Sequence, residues 1–240
     1  MTRAEMKHWL AFVPPFVCVS VSILFSAWTQ VASAEVDLNG TWKIEQQRAI
    51  LNPTVGTVPF TPEARKRYAA NKRAHDKGNY EYDSVQTLCS TPGLPRLMLT
   101  PDRFHIWQRP DFITFQFEWN RLFFQVDMTG RETAPLLVGV NIGVSKGQWQ
   151  GDALVIKTDN FTDQTLLDSL VPHSDDLKLT QRFRLLDPNR LEDHITIEDP
   201  QTFTRPWEAI VKYNRQPDVP FPEDICIDRR NAGTLPLPPQ

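Results

Sequence analysis

From Phe104 onward, apolar and polar residues alternate with a period of two, and turn-forming residues interrupt the alternation at intervals. Such a period places successive side chains on opposite faces of a strand, so each segment reads as half-buried β structure. Phe104-His105-Ile106-Trp107 opens the pattern. Along 112–119, Phe115, Phe117 and Trp119 fall on one side and Thr114, Gln116 and Glu118 on the other. Asn120-Arg121 turns the chain back into 122–127, and Thr129-Gly130 marks a second turn. Gln150-Gly151-Asp152 leads into 153–158. Residues 177–186 pair with 191–197 through Asp187-Pro188-Asn189, and 207–213 follows. Before this region, Thr61 is a good helix cap, Pro62 suits a first helical position, and 63–74 reads as a helix. Residues 78–95 read as a polar loop. Many antiparallel strands joined by tight turns, with one N-terminal helix and long loops, predict a mainly β barrel or sandwich.

The start of the chain carries a different pattern. Arg3 and Lys7 precede an apolar run from Trp9 to Trp28, and Ala32-Ser33-Ala34 ends it with small residues. This reads as an export signal over 1–34, removed after Ala34. It leaves a single domain over 35–230, a Pro-rich tail over 231–240, and a periplasmic or secreted protein without stable membrane insertion. Cys18 departs with the signal. Cys89 and Cys226 then remain in an oxidising compartment, where two cysteines most simply pair. Without Arg3, Glu5 and Lys7, the 26 basic and 29 acidic side chains of the whole sequence fall to 24 and 28. That mildly acidic balance argues against nucleic acid as a partner, because phosphate binding needs clustered Lys and Arg. The run Arg65, Lys66, Arg67, Lys72, Arg73 reads as the solvated face of the helix.

Candidate chemistry concentrates between Trp149 and Trp207, where Asp159, Asp163, Asp168, His173, Asp199 and Arg205 lie beside apolar strands. A β core does not need them. His173 follows Pro172 and precedes Ser174-Asp175-Asp176 in a polar loop. A histidine among carboxylates suits acid–base work, while the alternative is a turn that satisfies its own backbone. The sequence leaves both open. The expected site places His173, Asp168 and Asp163 as catalytic groups, with Asp159, Arg205, Trp107 and Trp119 as ligand contacts. Arg205 also suits a structural place, stacked over Trp42. The carboxylates and His173 lack any metal-binding motif, so no metal is expected, and no cofactor motif is present. Gly143-Val144-Ser145-Lys146-Gly147 matches a G-x-S-x-G nucleophile pattern. However, a strand rather than a helix follows it, so the elbow is rejected.

Asp37-Leu38-x-Gly40-x-Trp42 resembles the opening of lipocalins and other calycins. The chain is similar over most of its expected mature length to a large, mostly uncharacterised family of exported bacterial lipocalin-like proteins. The matching residues continue as Leu94-Pro95-Arg96, Trp149-x-Gly151-Asp152-x-Leu154-Val155, Phe161-x-Asp163, Leu167-Asp168 and Pro172-His173-Ser174. Arg182-Phe183-Arg184, Asp199-Pro200 and Thr204-Arg205-Pro206-Trp207 complete them. Leu166 stands where members often have Trp. The resemblance implies a lipocalin-like barrel and carries no activity with it. The expected function is a pocket for an apolar or aromatic small molecule, with cofactor-independent isomerase, cyclase, hydratase or lyase chemistry. The alternative is a carrier that leaves its hydrophobic ligand unchanged.

Overall fold

The period-two segments become nine strands that close on themselves. In the computed structural model, residues 36–46, 50–132 and 139–237 are described, so the expected signal over 1–34 lies outside them. The strands are β1 (Gly40–Ile44), β2 (Arg103–Gln108), β3 (Phe112–Phe117), β4 (Phe123–Asp127), β5 (Val144–Gln150), β6 (Ala153–Asp159), β7 (Lys178–Asp187), β8 (Arg190–Glu198) and β9 (Trp207–Gln216). Each pairs with its successor, and β9 returns to β1 through Trp42 opposite Arg215. Closure leaves no unpaired sheet edge. The protein is a mainly β, lipocalin-like closed barrel.

One join departs from the antiparallel expectation. β4 and β5 are parallel, with Val126 opposite Ser145 and Asp127 opposite Lys146. A parallel pair cannot be closed by a tight turn, so the Thr129-Gly130 turn opens a longer crossover instead of a hairpin. Ser145 therefore lies within β5. It faces inward and shares a 2.8 Å hydrogen bond with Thr158 Oγ1 on β6, away from any strand–helix elbow.

Alternation decides what enters the barrel. β8 buries Leu191, Asp193, Ile195 and Ile197, and β9 buries Trp207, Ala209, Val211 and Tyr213. β7 buries Leu179, Gln181 and Phe183. On the far side, Phe104, Ile106, Ile113, Phe115, Phe117, Phe124 and Val126 fill the interior of β2 to β4. Phe115 stacks on Phe124 at 4.8 Å and meets Phe183 across the barrel at 5.4 Å. Trp42 plugs one end. Its Nε1 donates to Leu38 O at 3.1 Å, and the Arg215 guanidinium lies over its ring at 4.2 Å. Gly40 adopts φ 127°, and a Cβ there would run into Arg215 Nη1. The glycine of the Gly-x-Trp spacing thus makes room for the stacked arginine, which is Arg215 rather than the expected Arg205.

The helices lie outside the barrel. α1 (Pro62–His75) is capped by Thr61, whose Oγ1 accepts from Ala64 N at 3.3 Å. It buries little besides Ala64, as its charged sequence predicts. Two further helices correct the expectation of one. α2 (Ser84–Leu88) forms inside the predicted 78–95 loop, where the Asp83 side chain caps it by accepting from Val85 N. α3 (Cys226–Asn231) follows β9. The Cys89–Cys226 disulfide joins the end of α2 to the start of α3, with Cα atoms 5.8 Å apart. The Pro-rich end beyond α3 is tied down as far as Leu237. Trp119 Nε1 donates to Pro236 O at 2.9 Å, and Gln86 both donates to and accepts from the Leu237 backbone.

Candidate functional site

The loop between β6 and β7 carries most of the residues singled out in the sequence, and it is held from within. Asp168 is fully buried, and its carboxylate accepts from Leu51 N, Leu170 N and Val171 N, each at 2.8 Å. Burial raises its pKa, while those three amides and the Arg96 charge pull it back. His173 is also fully buried. A carbonyl can only accept, so the 2.8 Å contact to Ser174 O places the proton on Nδ1. The neutral Nε2 then accepts from Thr165 Oγ1 at 2.8 Å. Burial pushes its pKa below the ordinary imidazole range. Asp199 accepts from Ser174 N, Ser174 Oγ, Gln201 N and Thr202 N. Every polar atom of the His173 and Asp168 side chains is committed to local backbone and hydroxyl partners, and the two side chains do not bond each other. The polar loop expected around His173 is thus buried at both His173 and Asp168.

The other expected contacts separate. Asp159 lines a cleft of about 950 Å³ on the outer face of β5 and β6, beside Lys146, Lys157 and Lys178. Arg205 lines a second outer cleft, of about 430 Å³, and donates to Pro206 O at 3.4 Å. Asp163 is exposed on a third, near α1, and accepts from Gln164 Nε2 at 2.6 Å. Trp107 is half-exposed on the outer face of β2, its ring 4.1 Å from that of His105. Trp119 is buried against the C-terminal segment. The fold gathers none of these into one pocket with His173.

It gathers a different set. Within the barrel, Gln181 on β7 donates its Nε2 to Asp193 Oδ2 on β8 at 2.7 Å. The register puts Gln181 opposite Ile195 and Phe183 opposite Asp193. The two polar residues are therefore diagonal neighbours on one inner face. Tyr213 on β9 is the diagonal neighbour on the other side, since Asp193 lies opposite Val211 and Leu191 opposite Tyr213. All three are buried. Asp193 Oδ1, Gln181 Oε1, Tyr213 Oη and Trp207 Nε1 have no hydrogen-bond partner among the described residues. An unpaired buried polar atom costs roughly 1–3 kcal/mol, so four on one wall need an explanation. Burial lifts the Asp193 pKa to about 7, against the hydrogen bond from Gln181, and Glu192 adds to the rise. Burial also lifts Tyr213 well above the ordinary phenol range, with Asp193 adding to it.

Sequence reasoning passed over this set because it looked for polar residues in loops. The signal was present in the alternation: Gln181 and Asp193 occupy inward phases of β7 and β8, where Leu179, Phe183, Leu191, Ile195 and Ile197 are apolar. Among the described residues, no group of His, Cys, Asp and Glu could hold a metal ion.

The molecule is thus a closed lipocalin-like barrel with a buried acid, Asp193, facing its interior. No protein-family model matches the chain, and no curated protein matches it. Among solved structures, it is similar to a mutant of the fluorescent protein UnaG, at 18% identity and a TM-score of 0.34. That alignment covers 74% of this chain and 95% of the other. It is also similar to an abundant heat soluble (SAHS) protein from Ramazzottius varieornatus, at 9% identity and a TM-score of 0.29, over 77% of this chain and 98% of that one. The barrel assignment rests on the strand pairing described above, not on these distant likenesses.

Proposed function

We propose that this is an exported binding protein that takes an apolar or aromatic small molecule into its barrel, anchored through the Asp193, Gln181 and Tyr213 wall. The observation that carries the reading is the unpaired Asp193 Oδ1 on a face otherwise lined by Leu179, Ile195, Ala209 and Val211. Ligand sites of this kind pair a mainly apolar lining with a few convergent polar groups. Export is supported by the sequence pattern over 1–34 and by a disulfide, which suits an oxidising compartment. Among the described residues, no helix is long and apolar enough to cross a membrane. N-terminal sequencing of the exported protein should begin at Glu35, and a start at Met1 would refute removal of the signal.

The binding test is direct. A panel of small aromatic and alicyclic compounds should include members that raise the unfolding midpoint and change the emission of Trp207. In Asp193→Asn those shifts should shrink. A panel that leaves the midpoint unchanged throughout would remove the binding reading.

Acid–base catalysis is a second reading on one observation: Asp193 has a pKa of about 7. An acid in that range exchanges its proton readily at neutral pH. The geometry favours Asp193 over His173 for that role, because both His173 nitrogens are already engaged. Product formation from any bound compound, lost in Asp193→Asn while binding persists, separates enzyme from carrier.

A further inference from the structure

We propose that the interior ligand carries a protonated or strongly N–H-donating nitrogen on an apolar body, received by Asp193 Oδ1 and Gln181 Oε1 together. The proposal rests on the interior binding reading above and adds the chemical class. Three features of the wall point to it.

First, the hydrogen bond from Gln181 Nε2 to Asp193 Oδ2 fixes the amide's orientation, so Gln181 Oε1 is left as an acceptor. What Asp193 lacks depends on its proton. Neutral, its O–H has Gln181 Oε1 as an acceptor within the same hydrogen-bonded pair, whereas ionised it leaves Oδ1 and Gln181 Oε1 as two acceptors with no donor among the described residues. A nitrogen with two N–H groups meets both acceptors at once.

Second, the charge is one-sided. On the inward phases of the nine strands the basic residue is Arg215, opposite Trp42 at the barrel's end, where the Trp42 ring, Asn39 O and Pro188 O take up its guanidinium, while Arg182 and Arg184 on β7 fall on the outward phase. Tyr213 from β9 is the titratable group that faces Asp193, and Glu192 adjoins it on the outward phase of β8. An anionic head group would therefore meet Asp193 without compensation, whereas a cation would complete a buried pair. A lone buried carboxylate is costly, and pairing is what makes it tolerable.

Third, the surroundings are aromatic. Tyr213, Phe104, Phe115, Phe183 and Trp207 are all buried in the barrel, and ring faces attract cations, most strongly away from water.

Three isosteric probes test the proposal by calorimetry on the purified protein: 2-naphthylmethylamine, 2-naphthylmethanol and 2-naphthoate. At pH 7.5 the amine should bind at least roughly tenfold more tightly than the alcohol, and the naphthoate more weakly than either. Ionising Asp193 on binding releases a proton, so amine affinity should rise about tenfold per pH unit between pH 5 and 7 and level off above. The heat should vary with buffer ionisation enthalpy in the same range. Asp193→Asn should bind the amine no better than the alcohol, and the pH dependence of amine binding should vanish with it. Equal binding of amine and alcohol by the wild type, or an amine preference that survives Asp193→Asn, overturns the ligand class while leaving the interior reading intact. If none of the three binds, both fall, and the orphan atoms are then explained by buried water.

Discussion

Asp193 should make the protein less stable as pH rises. Its carboxyl titrates at about 7 in the fold and near 3.8 when exposed, so between those values the folded state holds the extra proton. Stability is then fully present below about pH 4, falls through the window up to 7, and stays reduced above it. The full penalty is on the order of 4 kcal/mol. Asp193→Asn removes the titration, so urea midpoints of wild type and variant should approach each other at pH 4 and separate at pH 8, the variant being the more stable. A wild-type curve flat across that range would contradict the buried acid. His173 works in the opposite direction. Its folded pKa lies below the ordinary 6.5. The unfolded chain therefore takes the proton first, and stability is lost as pH falls below about 6.5. His173→Ala leaves Thr165 Oγ1 without its partner and a void where a fully buried ring sat, and should cost about 2–4 kcal/mol. The sequence pointed to His173 because a histidine among carboxylates suits acid–base work, and it does not show how deeply the loop is buried. Exposure depends on where distant segments such as the one carrying Leu51 close over the loop, and those contacts are long-range. Asp193, by contrast, was legible as a polar residue in an apolar phase.

At the scale of elements, the local signals were strong where the chain decides its own conformation. Thr61-Pro62 sets α1, and Asp187-Pro188-Asn189 sets the β7–β8 hairpin, because cap and turn chemistry act over a few residues. α2 was hidden in a loop since a five-residue helix has almost no periodicity to read. It exists because Asp83 does two things: its Oδ1 accepts from Val85 N, and its two oxygens take Arg96 Nη1 and Nη2 at 2.8 and 2.6 Å. That pair is almost wholly buried. Arg96→Met should therefore cost about 3–5 kcal/mol by stranding a buried carboxylate, and adding Asp83→Leu should recover much of it. Additive losses in a double-mutant cycle would show that the two side chains are not coupled. The parallel β4–β5 join was beyond local reading, because nothing in 122–127 or 144–150 states which strand direction lies beside it.

Across the whole molecule, closure of the barrel and fixation of its C-terminal segment are separate problems with separate solutions. The strand ladder closes through β1 and β9, with Arg215 reaching Asn39 O and Pro188 O at 2.6 and 2.7 Å to hold the Trp42 end. The C-terminal segment has no strand to join. It is held by the Cys89–Cys226 bond, by Cys226 N donating to Asn120 Oδ1 at 3.0 Å, and by the Gln86 and Trp119 contacts to Leu237 and Pro236. The pairing of the two cysteines followed from export alone, but the anchoring of the Pro-rich end did not, because it depends on Gln86 and Trp119 meeting it from distant segments. The disulfide spans 137 residues, so on the chain-entropy model it restricts the unfolded chain by about 5 kcal/mol. Two consequences distinguish its roles. Cys89→Ser with Cys226→Ser should lower the urea midpoint substantially, by up to that amount in free energy. Amide exchange at 226–237 should accelerate more than exchange in β7 and β8, because those strands are held by ladder hydrogen bonds that the disulfide does not touch. Uniform acceleration throughout would mean the bond supports the barrel itself rather than the segment it tethers.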